Sequence, residues 1–210
     1  MRKNGILILT LLIILMVTAC GGEQPYEETF DEPGNWRTGN DAGAVGQVVD
    51  GVYDMLVEAD DATIWTTAGQ SFADGVYQVE ATQVSGPDNN GYGMVFRLDD
   101  DKDDFYTFKI SGDGYVWIGR YHGGGTEVEP LISDHWFESP AVNKGADRTN
   151  VLRVNAEGGN MIFYVNDQEV GRVTDNTFSK GDIGLLVDTL GFGGVQIQFD
   201  NFTVTPLVRD

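Results

Sequence analysis

Five residues carry the chemistry this sequence offers most readily: Arg97, Thr107, Lys109, Trp117 and Tyr121. They fall at alternate positions of three apolar-rich stretches. Arg97 is in phase with Gly93 and Val95, while Tyr92, Met94, Phe96 and Leu98 take the opposite phase. Thr107 and Lys109 oppose Tyr106, Phe108 and Ile110. Trp117 and Tyr121 oppose Val116 and Ile118. A strand sends successive side chains to opposite faces. The more apolar set is therefore expected to face a core, and the five residues to share one open face. Two cations, a hydroxyl and two aromatic rings on adjacent strands suit a sugar. Apolar sugar faces stack on rings, and polar side chains grip hydroxyls. Without a ligand, the same pattern reads as a solvated sheet face with cross-strand aromatic pairs.

Other chemistries lack their residues. There is no His-Glu-x-x-His, no Gly-x-Ser-x-Gly and no phosphate loop. The two histidines, His122 and His135, sit in Gly-rich or polar sequence and read as exposed loop residues. The run Asp99-Asp100-Asp101-Lys102-Asp103-Asp104 starts like an EF-hand loop. Asp104 stands where the loop needs Gly, and Ile110 where it needs its final Glu, so the run reads as a solvated charge run between strands.

The elements that must position these residues are strands. No stretch sustains a 3.6-residue period, whereas alternation recurs. The sequence predicts strands over 76–82, 91–98, 105–111, 115–121, 150–156, 161–166, 169–173, 184–188 and 195–204. Gly112-Asp113-Gly114 is a good hairpin turn between the third and fourth. Glycine is abundant at 28 and proline scarce at 6, which favours short strands with tight turns. The expected fold class is all-β, a jelly-roll sandwich of two antiparallel sheets in one domain over residues 26–210.

Several segments resemble the concanavalin A-like lectin/glucanase superfamily: Asn90-Gly91-Tyr92-Gly93-Met94-Val95-Phe96-Arg97, Phe163-Tyr164-Val165-Asn166, Gly181-Asp182-Ile183-Gly184-Leu185 and Phe199-Asp200-Asn201-Phe202. Within it the chain is most similar to the 3-keto-disaccharide hydrolase domain, over most of residues 26–205. The resemblance implies the jelly roll and a glycoside-related activity. Retaining glucanases of the superfamily carry Glu-x-Asp-x-x-Glu on one strand. Here the nearest match, Glu58-Ala59-Asp60-Asp61-Ala62-Thr63, lacks the last carboxylate. The 3-keto-disaccharide hydrolase domain has Tyr-Glu-x-Gln-Ile after its Gly-x-x-Phe-Arg strand. Here Tyr106-Thr107-Phe108-Lys109-Ile110 replaces the acid with Thr107 and the glutamine with Lys109. A neutral threonine cannot transfer that proton. No catalytic residue is therefore assigned. The resemblance of the closing strand to jelly-roll carbohydrate-binding modules also implies a structural calcium ion, held by Asp200 with Asp31 as its partner.

The N-terminus states where the chain works. Arg2 and Lys3 precede an apolar run from Ile6 to Val17, and Val17-Thr18-Ala19-Cys20 resembles a bacterial lipobox. The run is about a dozen residues, short of the ~20 that span a bilayer. Residues 1–19 are expected to be a signal peptide, Cys20 to be acylated, and 20–25 to be a tether. Cys20 is the only cysteine, so no disulfide is available. Removing residues 1–19 takes two of the 13 basic residues and none of the 33 acidic ones, leaving a formal charge of −22. Such a surface repels nucleic acid and anionic lipid. The expectation is an extracytoplasmic, membrane-anchored lipoprotein whose domain binds a carbohydrate or another surface ligand without catalysis. The alternatives are a divergent glycoside hydrolase or lyase, and a structural envelope module.

Overall fold

The computed structural model describes residues 23–41 and 43–207. The leader, Cys20 and the first tether residues lie outside that range. Sixteen strands run through the described residues: β1 Tyr26–Glu28, β2 Gly39–Asp41, β3 Ala44–Val49, β4 Val52–Val57, β5 Thr63–Phe72, β6 Gly75–Ser85, β7 Gly91–Asp99 and β8 Asp104–Ser111. They continue with β9 Tyr115–His122, β10 Glu127–Pro130, β11 Phe137–Glu138, β12 Thr149–Glu157, β13 Asn160–Val165, β14 Gln168–Thr174, β15 Gly181–Asp188 and β16 Val195–Pro206.

The strands form two antiparallel sheets. The first has the order β14-β13-β12-β6-β16-β4-β3-β2, with β1 also on β16. The second has the order β10-β9-β8-β7-β15-β5, with β11 also on β9. This is the all-β jelly-roll sandwich the sequence predicts. The core lies between the sheets and takes every second residue. Tyr77, Val79 and Ala81 enter from β6, Tyr106, Phe108 and Ile110 from β8, and Phe163 from β13. Phe108 and Phe163 meet edge to face across the two sheets, with ring centroids 5.3 Å apart. An edge-to-face pair sets the positive ring edge against the negative face. Phe30, Trp36, Tyr53 and Phe202 make a second knot under the N-terminal strands, with centroids 5.4–5.9 Å apart.

All nine predicted strands are present. The strands that alternation misses are β1–β5, β10 and β11. Most are short or rich in Thr, Gly and Gln; β4 is neither richer in these nor shorter than β13, and its Tyr53, Met55 and Val57 bury one phase that the predicted strands omit.

Arg97 departs from the alternation. It adopts a left-handed backbone, φ 53°, where the β7–β8 register shifts between Phe96 and Asp99. One extra residue in a strand reverses the phase beyond it. Leu98 therefore joins the outer face beside Val95, and Arg97 turns away. The expectation that Arg97 shares the open face is corrected accordingly. Its guanidinium is fully buried and donates to the carbonyls of Ala73 at 3.0 Å, Gly158 at 2.9 Å and Phe178 at 3.1 Å. It also pairs with Asp74 at 3.1 Å, and the Gly158 amide donates to the same carboxylate at 2.9 Å. One fork thus ties three turns together. Removing one member of a buried ion pair costs about 3–5 kcal/mol, because the other charge is left buried. Arg97→Ala is expected to lose about that much in urea unfolding, and Arg97→Lys to recover little, since lysine lacks the planar fork. A loss below about 1 kcal/mol would show that the pin is dispensable.

Candidate functional site

The face of the second sheet that points away from the core holds the candidate site. On β8, Phe105 leaves the core side while Tyr106, Phe108 and Ile110 enter it. On β9, Trp117 and Tyr121 face outward while Val116 and Ile118 face in. Register then aligns the rows, with Lys109 opposite Trp117 and Phe105 opposite Tyr121. Four of the five expected residues, Thr107, Lys109, Trp117 and Tyr121, are therefore brought together, and Arg97 is not.

The face is not open. Trp117 is 7% and Tyr121 6% exposed, and Lys109 and Thr107 are buried. Two indoles, Trp65 of β5 and Trp136 of the β10–β11 connection, pack over them. Trp65 lies 5.3 Å from the Phe105 ring, which stacks on Tyr121 at 4.9 Å. Two glycines make room for this layer. A Cβ on Gly119 would come within 2.2 Å of the Trp117 ring, and one on Gly91 within 3.0 Å of the Trp136 ring. A sugar cannot stack on the full face of Trp117 or Tyr121 as they stand. The half-buried rings it meets first are Trp65 and Trp136.

Lys109 is the charged centre of the layer. Its ammonium pairs with Asp188 of β15 and sits 4.2 Å from the Trp117 ring, 5.3 Å from Tyr121 and 5.8 Å from Trp136. It also donates to the Tyr121 hydroxyl at 3.4 Å. A desolvated cation over ring faces gains about 2 kcal/mol. Asp188 uses only Oδ2 for the pair; its Oδ1 is buried and has no hydrogen-bond partner. Thr107 donates its hydroxyl to the Met94 carbonyl at 3.1 Å, so the residue in the place of the family's acid is committed to the backbone.

The other expected sites resolve as follows. Asp60 and Asp61 lie in the β4–β5 loop and accept the amides of Gly193 and Gly191, so the partial glucanase motif braces a loop. The acidic run turns β7 into β8, with Asp99 paired to Lys102. His135 lies in a loop, whereas His122 ends β9 beside Glu127 and Glu129. Asp31 and Asp200 come within electrostatic reach. Burial pushes the Asp200 carboxyl above its ordinary value, the Asn201 amide works against that, and the charge of Asp31 adds to it. Asp31 also accepts the Thr29 hydroxyl at 2.8 Å. The pair supplies two carboxylates toward the six to eight oxygens calcium takes. Among the described residues no three His, Cys, Asp or Glu side chains gather round one point. Backbone carbonyls would have to supply the remaining oxygens.

Sequence reasoning missed Trp65, Trp136 and Asp188. Asp188 was legible, being in phase with Leu186 on a predicted strand. Trp65 lies on the unpredicted edge strand, and Trp136 comes from a loop with no periodic signal.

With this geometry in place, a family model, the 3-keto-alpha-glucoside-1,2-lyase-like domain, matches residues 25–205. The chain belongs to that family. Among solved structures, the domain is similar to the carbohydrate-binding module CBM66 from Bacillus subtilis, with TM-score 0.64 and 19% identity over 82% of this chain and 97% of that one. It is also similar to the Bacillus licheniformis beta-glucanase, with TM-score 0.62 and 11% identity over 88% and 99%. At these identities the likeness is one of fold. A 55-residue stretch is 38% identical to the extracellular matrix-binding protein ebh of Staphylococcus aureus (strain MRSA252), covering 26% of this chain and a share of that protein that rounds to 0%. The domain thus carries a jelly roll shared by carbohydrate-binding modules and glucanases.

Breaking the Lys109–Asp188 pair from one side should be worse than removing it from both. Lys109→Met strands a buried carboxylate and is expected to cost about 3–5 kcal/mol. Lys109→Met with Asp188→Leu is expected to recover most of that loss in equilibrium unfolding. Equal losses in the single and double variants would show that the pair is not a coupled unit.

Proposed function

We propose that this chain is an extracytoplasmic lipoprotein, held to a membrane through acylated Cys20, whose domain binds a carbohydrate on the outer face of its second sheet without transforming it. The observation that carries the binding reading is Asp188 Oδ1. A buried carboxylate oxygen without a donor costs free energy. A sugar hydroxyl donating to it would remove that cost while the ring packs on the Trp136 indole. Trp136 comes from a connecting loop, so its ring can shift without breaking a strand. The family membership and the carbohydrate-binding neighbour support the same class of ligand.

The non-catalytic part rests on the acids. Thr107 stands where the family has a proton donor, and its hydroxyl is spent on Met94. The two carboxylates that β15 contributes on this phase, Asp182 and Asp188, are six residues apart, about 20 Å at ~3.3 Å per residue. Glycosidase pairs stand ~5–9.5 Å apart. Asp182 is moreover committed to the amides of Gly69 and Gln70 at 2.9 and 2.7 Å. A second reading, a hydrolase or lyase acting on glycosides, is favoured by the same free oxygen, which could take a proton from carbon or water.

The anchor reading rests on the lipobox resemblance. Among the described residues no helix is long and apolar enough to cross a membrane. Cys20→Ser is expected to abolish fatty-acid labelling, and equal label in both proteins would contradict it. For the domain, a glycan array with the detergent-solubilised full chain should find a ligand, followed by calorimetry beside a turnover assay with that ligand. Trp136→Ala and Asp188→Asn are each expected to weaken binding by about 1–3 kcal/mol. Turnover by the wild type that vanishes in Asp188→Asn would replace the binding reading with the enzymatic one.

A further inference from the structure

The paths of the two sheets end on β14, β2, β10 and β5. A free strand edge presents unpaired N–H and C=O groups, and proteins blunt it with charge, proline or brevity. β10 carries Glu127, Glu129 and Pro130, β14 carries Glu169 and Arg172, and β2 is three residues long. β5 differs. It runs ten residues, Thr63–Phe72, without a charged side chain or a proline, in a chain with 33 acidic residues.

Register shows which main-chain groups β5 leaves free. The Thr189 amide donates to the Ala62 carbonyl at 2.8 Å. Antiparallel pairing alternates from there. Ile64 and Thr66 bond to Val187 and Leu185, and the amides and carbonyls of Thr63, Trp65 and Thr67 point away from β15. Those groups meet no partner among the described residues. The register shifts beyond Thr67, where Gly69 is left-handed at φ 67°, and this ends the straight stretch. Between the sheets, a cavity of about 670 Å³ lies alongside the edge, walled on its far side by β2, β3 and β4. Its lining includes Ile64, Ala44 and Met55. On the outer side the neighbour is acidic. A Cβ on Gly125 would lie 3.4 Å from the Trp65 ring and 3.6 Å from the Asp103 side chain, so Asp103 stands beside β5. Arg37, on the cavity lining, is already paired with Asp41.

We propose that the free edge of β5 docks an extended segment of a partner protein, one in which apolar residues alternate with lysine or arginine, as an added strand of the second sheet. Strand addition draws affinity from main-chain hydrogen bonds and specificity from alternate side chains. The segment's backbone meets the free groups of Thr63, Trp65 and Thr67. Its side chains go to opposite faces in turn. The apolar row enters the cavity against Ile64 and Met55. The basic row lies on the outer side beside Asp103, where a cation is the complement. An acidic segment would meet Asp103 on a chain of formal charge −20, and a second copy of the chain brings that same charge with it. The edge is a site of its own and does not rest on carbohydrate binding at the outer face.

The test uses the detergent-solubilised full chain and a short peptide alternating valine with lysine, blocked at both ends. One companion peptide carries glutamate in place of lysine. Another keeps the lysines and has every amide N-methylated, so it holds its charge and loses its donors. Amide hydrogen exchange is followed beside sedimentation. The lysine peptide is expected to slow exchange at Thr63, Trp65 and Thr67 by about tenfold or more at saturation. The glutamate peptide is expected to bind about tenfold more weakly, and the methylated one not to bind. Thr67→Pro removes a free-edge donor at a position where the ladder does not use it, as edges tolerate, and is expected to weaken the lysine peptide about tenfold. Asp103→Asn suits the left-handed backbone at φ 51° and is expected to weaken it about threefold with the fold intact. Trp136→Ala, on the outer face, is expected to leave the peptide's affinity unchanged. Equal binding of the methylated and unmethylated peptides would reduce the effect to charge and overturn the proposal. So would unchanged exchange at Thr63, Trp65 and Thr67, or a dimer of the chain alone that already protects them, since a second copy would then hold the edge.

Discussion

The organisation of the outer face follows from one buried ion pair. Lys109 and Asp188 come from strands separated by β7, and both are nearly inaccessible to water. Two charges taken out of water repay that only with close geometry and extra partners. Here the partners are three aromatic rings round the ammonium, and their number explains much of the local sequence. Gly91 and Gly119 give the indoles room, and Phe105 with Tyr121 continues the layer toward Trp65. The face is thereby a filled aromatic surface with one unspent acceptor at its centre, rather than an empty trough.

The same economy of charge operates between the sheets. The chain has 33 acidic and 13 basic residues, so cations are scarce. Two of them, Arg97 and Lys109, are fully or almost fully buried against Asp74 and Asp188. Each joins parts of the chain distant in sequence, 23 and 79 residues apart. With a single cysteine and no disulfide available, these buried pairs supplement a core that is otherwise apolar and non-directional.

Most of the scaffold was legible because alternation reports burial directly. The strands from β6 to β9 and from β12 to β16 bury one apolar side, and their phase reads off the residues. Alternation fails where the backbone breaks it. The positive φ at Arg97 adds one residue to β7, sends that side chain inward and puts Leu98 on the outer face, and nothing in the residue types announces the shift. Of the site, Thr107, Lys109, Trp117 and Tyr121 were placed correctly on one face, but their burial was not foreseen. Burial there depends on Trp65 and Trp136. Trp65 lies on an edge strand whose Thr, Gly and Gln content hides its period, and Trp136 on a loop that has none. What covers a surface is a tertiary fact, and local pattern does not contain it.

The four tryptophans supply the most direct test of the account. Trp65, Trp117 and Trp136 belong to the outer face, while Trp36 lies in the core and serves as the internal control. Their indole N–H resonances can be followed during titration of the full chain with a glycan selected on an array. Binding at the unspent oxygen of Asp188 is expected to move Trp136 most, then Trp117, with Trp36 unchanged and the affinity read from these shifts lowered by about 1–3 kcal/mol in Asp188→Asn. Saturable binding that leaves Trp136 and Trp117 in place would contradict the claim that this face is the binding surface.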